Sequence, residues 1–117
     1  MTHTVLVVED EQELREMMRD ALELNGYAVV TAQHGRDALA KLPEIDHLCL
    51  VILDLLMPVM DGKEFIATLR AQSAMSSVPV VVHTSAAGQA PPGVTRVIQK
   101  PLRFERLLSV VREYCAQ

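Results

Sequence analysis

Leu48-Cys49-Leu50-Val51-Ile52-Leu53-Asp54, followed by Leu55-Leu56-Met57-Pro58-Val59-Met60-Asp61-Gly62, is the stretch that decides how this chain folds. An unbroken apolar run closed by a carboxylate, with Pro58 and Asp61-Gly62 as turn signals, reads as a strand covered on both faces. Such strands belong to parallel sheets. Working outward, Val5-Leu6-Val7-Val8 is a second run of the same kind, and it too ends in acids, Glu9 and Asp10. Open α/β sheets place their ligands at the carboxyl ends of strands. Glu9, Asp10 and Asp54 are therefore candidates for one acidic site. That geometry suits an aspartate that takes up a phosphoryl group beside a divalent cation.

The rest of the chain alternates in the same rhythm. Strands are expected over 5–8, 27–31, 48–53, 80–83 and 94–98, the last weakened by Thr95 and Arg96. Helices are expected over 11–24, 35–42, 63–71 and 103–114. The first carries Leu14, Met17, Met18, Ala21 and Leu22 on one face, and the last Phe104, Leu107, Leu108 and Val111. Asn25-Gly26 and Pro43 stop helices. Strand-helix alternation with right-handed crossovers predicts an α/β, flavodoxin-like, doubly wound parallel sheet of five strands in the order 2-1-3-4-5. That order sets strands one and three side by side and so gathers the three acids. One link breaks the rhythm. Residues 85–93 are short for a parallel crossover, and Pro91-Pro92 cannot lie inside a helix. The helix between strands four and five is predicted to be missing or cut to about one turn.

Length and composition bound the function. A chain of 117 residues is one domain, 1–117, and with half its residues hydrophobic it can build a core without staples. The net charge of −4 argues against direct contact with nucleic acid. No apolar run spans a bilayer and no secretory leader opens the sequence. Cys49 in the central strand and Cys115 near the end make no disulfide framework, so a reduced, cytoplasmic chain is expected.

Four pieces in order, Val8-Glu9-Asp10-Glu11, the segment from Leu53 to Gly62, Thr84 and Lys100-Pro101, each fall at the carboxyl end of an expected strand. With them the whole chain resembles the receiver domains of two-component response regulators. The resemblance implies that Asp54 is the phosphoacceptor, a nucleophile giving an acyl phosphate. It implies Mg2+ (or Mn2+), a hard cation that takes one or two carboxylates and keeps waters. Asp10 and Asp54 would be direct ligands, Glu9 a ligand through water, and the backbone carbonyl of Leu56 a further one. Lys100 would neutralise phosphoryl oxygens as a point charge. Thr84 would donate its hydroxyl to the phosphoryl group. The Lys100-Pro101 bond would be cis, and the phosphodonor a histidine kinase or histidine phosphotransfer protein.

Each residue alone has a plainer reading. Asp10 could cap the first helix, with Glu13 completing a capping box. Asp61-Gly62 reads as a turn and helix start. Lys100 would pass as a surface lysine and Thr84 as a strand-end threonine. His3, His34 and His47 fall at element edges, and His83, facing opposite to Thr84, reads as a partly buried packing residue. No histidine pair has metal-ligand spacing. Asp54 lacks such a reading, because a carboxylate after six apolar residues is costly unless it reaches water or a cation.

The sequence also departs from the family. Receivers commonly carry an aromatic residue three positions before the lysine, and here it is Val97. With the shortened link, this puts the usual output face in doubt while the acceptor chemistry reads as intact. Three functions compete. The first is a signalling switch or phosphorelay intermediate that contacts an unknown downstream protein, since the chain stops after its last helix. The second is a binding module of the same fold that no longer uses phosphate. The third, a haloacid-dehalogenase-type phosphatase, needs a second aspartate two residues after the nucleophile, and position 56 is leucine. The chain is thus read as no enzyme beyond its own phosphorylation and dephosphorylation.

Overall fold

The two apolar runs lie at the centre of a five-stranded sheet in the computed structural model, which describes residues 3–55, 59–85 and 91–115. The strands are β1 (Thr4–Val8), β2 (Ala28–Ala32), β3 (Leu48–Asp54), β4 (Val80–Thr84) and β5 (Arg96–Gln99), and the helices are α1 (Gln12–Leu24), α2 (Gly35–Lys41), α3 (Gly62–Ala71) and α4 (Phe104–Tyr114). All neighbours are parallel and the order is β2-β1-β3-β4-β5, the flavodoxin-like arrangement expected from the alternation.

Strand residues alternate between the two faces. Val5, Val7, Leu50, Ile52, Val81 and Ile98 pack with Met18 and Leu22 of α1 and Leu107, Val110 and Val111 of α4. Leu6, Val8, Val51, Leu53, Val80 and Val82 pack with Ala38 of α2 and Phe65, Ile66 and Leu69 of α3. Both faces of β1 and β3 are covered, which is why both strands carry an unbroken apolar run, 5–8 and 48–53, rather than alternating.

Among the described residues no helix lies between β4 and β5. Residues 86–90 of that link fall outside them. What holds the returning chain is Arg70 on α3. Its Nη1 donates to the carbonyls of Val78 at 2.6 Å and Met75 at 3.1 Å, and its Nη2 donates to the carbonyl of Gly93 at 2.7 Å. β5 begins two residues later than expected. Before it, Thr95 exchanges bonds with Val80, its N–H donating to the carbonyl (2.8 Å) and its hydroxyl accepting from the N–H (3.0 Å). Arg96 is no strand breaker. It makes a paired bridge to Glu113 of α4 at 3.0 and 2.7 Å and lies over the Tyr114 ring.

The cysteines correct the sequence reading. Cys49 and Cys115 are joined in a disulfide, with their Cα atoms 5.5 Å apart. α4 runs back along the sheet and ends against the start of β3, within the span a disulfide bridges. The cysteine argument for a reducing compartment therefore falls away. No helix among the described residues is long and apolar enough to cross a membrane.

Candidate phosphoacceptor and cation site

Three strand tips meet at the carboxyl edge of the sheet. β1 and β3 are neighbours, with Val8 opposite Leu53, so the residues just beyond them converge. One oxygen from each of Glu9, Asp10 and Asp54 lies within 4.8 Å of the other two. Asp54 and Glu9 are buried and Asp10 is exposed. From the other side comes Lys100, just past β5, its Nζ 3.3 Å from Asp54 Oδ2 and 3.8 Å from Glu9 Oε1. Its backbone N–H donates to the carbonyl of Thr84 at 2.8 Å, and the Lys100-Pro101 bond is cis.

Local structure explains why the tips stay in place. Arg15 of α1 donates to the carbonyl of Glu9 at 2.9 Å. Glu9 Oε2 accepts from the N–H of Glu11 at 3.1 Å. Glu11, not Asp10, occupies the cap position of α1, and it makes no side-chain cap. The capping-box reading of Asp10 and Glu13 is thus not what the chain does, and Asp10 is left to face the acidic site. Asp61 behaves as the turn chemistry predicts: its carboxylate caps α3, accepting from the N–H of Glu64 at 2.9 Å. Gly62 packs so closely on the chain after Asp54 that a Cβ there would lie 2.8 Å from the carbonyl oxygen of Leu55.

Burial dominates the electrostatics. Desolvation pushes the Glu9 carboxyl up from 4.5 to about 8; the N–H of Glu11 opposes this, Asp10 and Asp54 add to it, and Lys100 opposes it. Glu9 Oε1 has no hydrogen-bond partner among the described residues. An orphaned, fully buried carboxylate oxygen beside two further carboxylates fits a hard divalent cation, which prefers oxygen donors. Leu56, whose carbonyl was expected to complete the ligands, lies outside the described residues. Thr84 ends β4 and is buried, one position beyond His83, which stands opposite Asp54 in the sheet register.

His83 is the residue that sequence reasoning missed. It is fully buried, and its Nε2 lies 3.3 Å from Glu9 Oε1. Burial lowers its pKa to about 4, helped by Lys100 and opposed by Asp54, so the ring is neutral near pH 7. The available signal was the facing of His83 opposite to Thr84. What was lacking was the knowledge that Glu9 and Asp54 share that face.

Comparison with known proteins gives the family and the fold. A family profile described as "Response regulator receiver domain" matches residues 5–112. The chain is 35% identical over 114 residues to response regulator MprA of Mycolicibacterium vanbaalenii, covering 92% of this chain and 48% of that protein. It is 30% identical over 116 residues to protein PilG of Pseudomonas aeruginosa, covering 94% and 85%. It thus spans about half the length of the first relative and most of the second. The solved chemotaxis protein CheY4 of Vibrio cholerae superposes with a TM-score of 0.88 at 32% identity, over 97% of this chain and 99% of that one.

Proposed function

This chain belongs to the response regulator receiver family, and from that premise we propose that Asp54 accepts a phosphoryl group from a phosphohistidine on a histidine kinase or histidine phosphotransfer protein. One observation carries the reading: the oxygens of Glu9, Asp10 and Asp54 gather within 4.8 Å, with the Lys100 ammonium 3.3 Å from Asp54. A carboxylate oxygen of Asp54 attacks phosphorus. The new O–P bond forms as the N–P bond breaks, and the imidazole nitrogen leaves with the electron pair. Lys100 neutralises oxygens of the transferring group, and Thr84 donates its hydroxyl to one of them once it is in place. Asp10 and Asp54, with Glu9 through water, would hold magnesium or manganese, and the ion would supply charge neutralisation between two anions that otherwise repel. The product carries roughly −1.5 to −2 added charge, enough to reorganise neighbouring loops and alter which protein the domain contacts. Chemistry of this kind is a signalling event or a phosphorelay step, with no turnover of an external metabolite.

The test is incubation with acetyl phosphate and magnesium, read by intact mass. A gain of one phosphoryl group is expected, absent without magnesium and absent in Asp54→Asn. A second reading, a binding module of the same fold that does not use phosphate, is favoured by the half-exposed Val97 on β5 and by the short link between β4 and β5. An unchanged mass under phosphodonor would select that reading.

A further inference from the structure

The polar atoms left over in the core belong to two residues that face each other. Among the described residues, the buried side-chain atoms without a hydrogen-bond partner are Glu9 Oε1 and both ring nitrogens of His83. His83 Nε2 lies 3.3 Å from Glu9 Oε1, and both side chains are fully excluded from solvent. Every other buried strand position on this face of β3 and β4 before the site, Leu50, Ile52 and Val81, is apolar. A valine at 83 would extend that surface, and a buried imidazole with no partner costs stability. Glu9 meanwhile is fixed at one oxygen only, Oε2, by the N–H of Glu11 at 3.1 Å. The other oxygen sits between the His83 ring and the Lys100 ammonium, the latter 3.8 Å away.

We propose that His83 is a positioning residue for the acidic site: with a cation bound and Glu9 ionised, its Nε2–H donates to Glu9 Oε1 across the 3.3 Å contact and fixes the plane of that carboxylate toward Asp10 and Asp54. The proposal rests on the reading of this cluster as a cation site. Toward the ionised Glu9 of the cation-bound site it requires the Nε2-protonated tautomer, because an imidazole protonated on Nδ1 presents a lone pair to the carboxylate. An ionised carboxylate held by Glu11 at one oxygen and His83 at the other has lost its rotational freedom, so less ordering remains to oppose cation binding. Outer partners of this kind are commonly worth ten- to hundredfold in metal affinity. Its role is toward Glu9, not as a ligand: the oxygens close enough to share one ion come from Glu9, Asp10 and Asp54, and His83 is not among them.

Calorimetric titration with magnesium chloride tests this in the wild type, His83→Val, His83→Gln and Glu9→Gln. His83→Val should weaken magnesium binding by about tenfold with an unfolding midpoint equal to or above that of the wild type. His83→Gln, which carries an amide donor at a similar reach, should recover most of the loss. The double variant His83→Val/Glu9→Gln should bind no more weakly than Glu9→Gln alone. Wild-type affinity in a folded His83→Val overturns the proposal, as does equal weakening by His83→Val and His83→Gln with lowered midpoints in both. Independently of any variant, nitrogen-15 spectra of the imidazole in the magnesium-loaded protein should place the ring proton on Nε2, and an Nδ1 proton there refutes the assignment. Failure of the wild type to bind magnesium overturns this proposal and the cation site together. Binding that His83→Val leaves intact overturns this one alone.

Discussion

At the scale of single residues, Glu9 sets the pH behaviour of the cation-free protein. Its folded pKa is about 8 against an ordinary 4.5. Between those values the native state keeps a proton that the unfolded chain has released, so stability falls as pH rises through the window. His83 works from the acid side. Its folded pKa is about 4 against 6.5, so the unfolded chain binds more protons in that interval, and stability is lost as pH falls through it. The two windows oppose each other up to pH 6.5, and above it only Glu9 contributes. Urea denaturation in a chelator should therefore show stability declining from pH 6.5 to 8. Glu9→Gln should flatten that decline, and a decline of unchanged slope in the variant would assign it to another group. Gly62 is a second residue-scale case. Gly62→Ala would press a methyl onto the Leu55 backbone, and it should destabilise by about 1–3 kcal/mol, measured by the shift in urea midpoint. The acids were legible from the sequence because each closes an apolar run and so had to lie at a strand tip. His83 was not, because its role depends on which face of the sheet Glu9 and Asp54 share.

At the scale of elements, the feature that matters is the joint between β4 and β5, which α3 reaches across with Arg70. Its guanidinium touches the carbonyls of Met75, Val78 and Gly93, before β4 and before β5. Arg70→Ala should lower stability by about 2 kcal/mol, within the range for hydrogen bonds to charged groups. Hydrogen exchange should show the loss concentrated in the segments around Val78 and Gly93, and a uniform change across the sheet would contradict this. The shortness of the link was legible from Pro91-Pro92 and the residue count. The means of holding it was not, because Arg70 reads as an ordinary helix-surface charge until the tertiary fold brings the carbonyls to it. The late start of β5 has a similar cause. Val94 looks like strand, but Thr95 bonds to Val80 with both its N–H and its hydroxyl, which fixes the approach before regular pairing begins.

At the scale of the whole molecule, the chain is closed by a covalent link between β3 and the end of α4. Constraining 66 residues of sequence separation in the unfolded ensemble is worth about 4 kcal/mol in the loop-entropy picture. Unfolding in urea with and without a thiol reductant should differ by up to that amount, and alkylation before reduction should label neither cysteine. Full labelling of the unreduced protein would remove the bond and the expected difference with it. Strand order was legible because alternation and crossover handedness leave few choices. The pairing of Cys49 with Cys115 was not, since the two meet only through the direction in which α4 lies on the sheet. That direction has a mechanical outcome. With its tail riveted to β3 by the disulfide and to β5 by Arg96 at Glu113, α4 cannot slide lengthwise past the sheet. Whatever rearrangement reaches it must be a lever motion about the rivet, widest at Phe104, the exposed aromatic at its head.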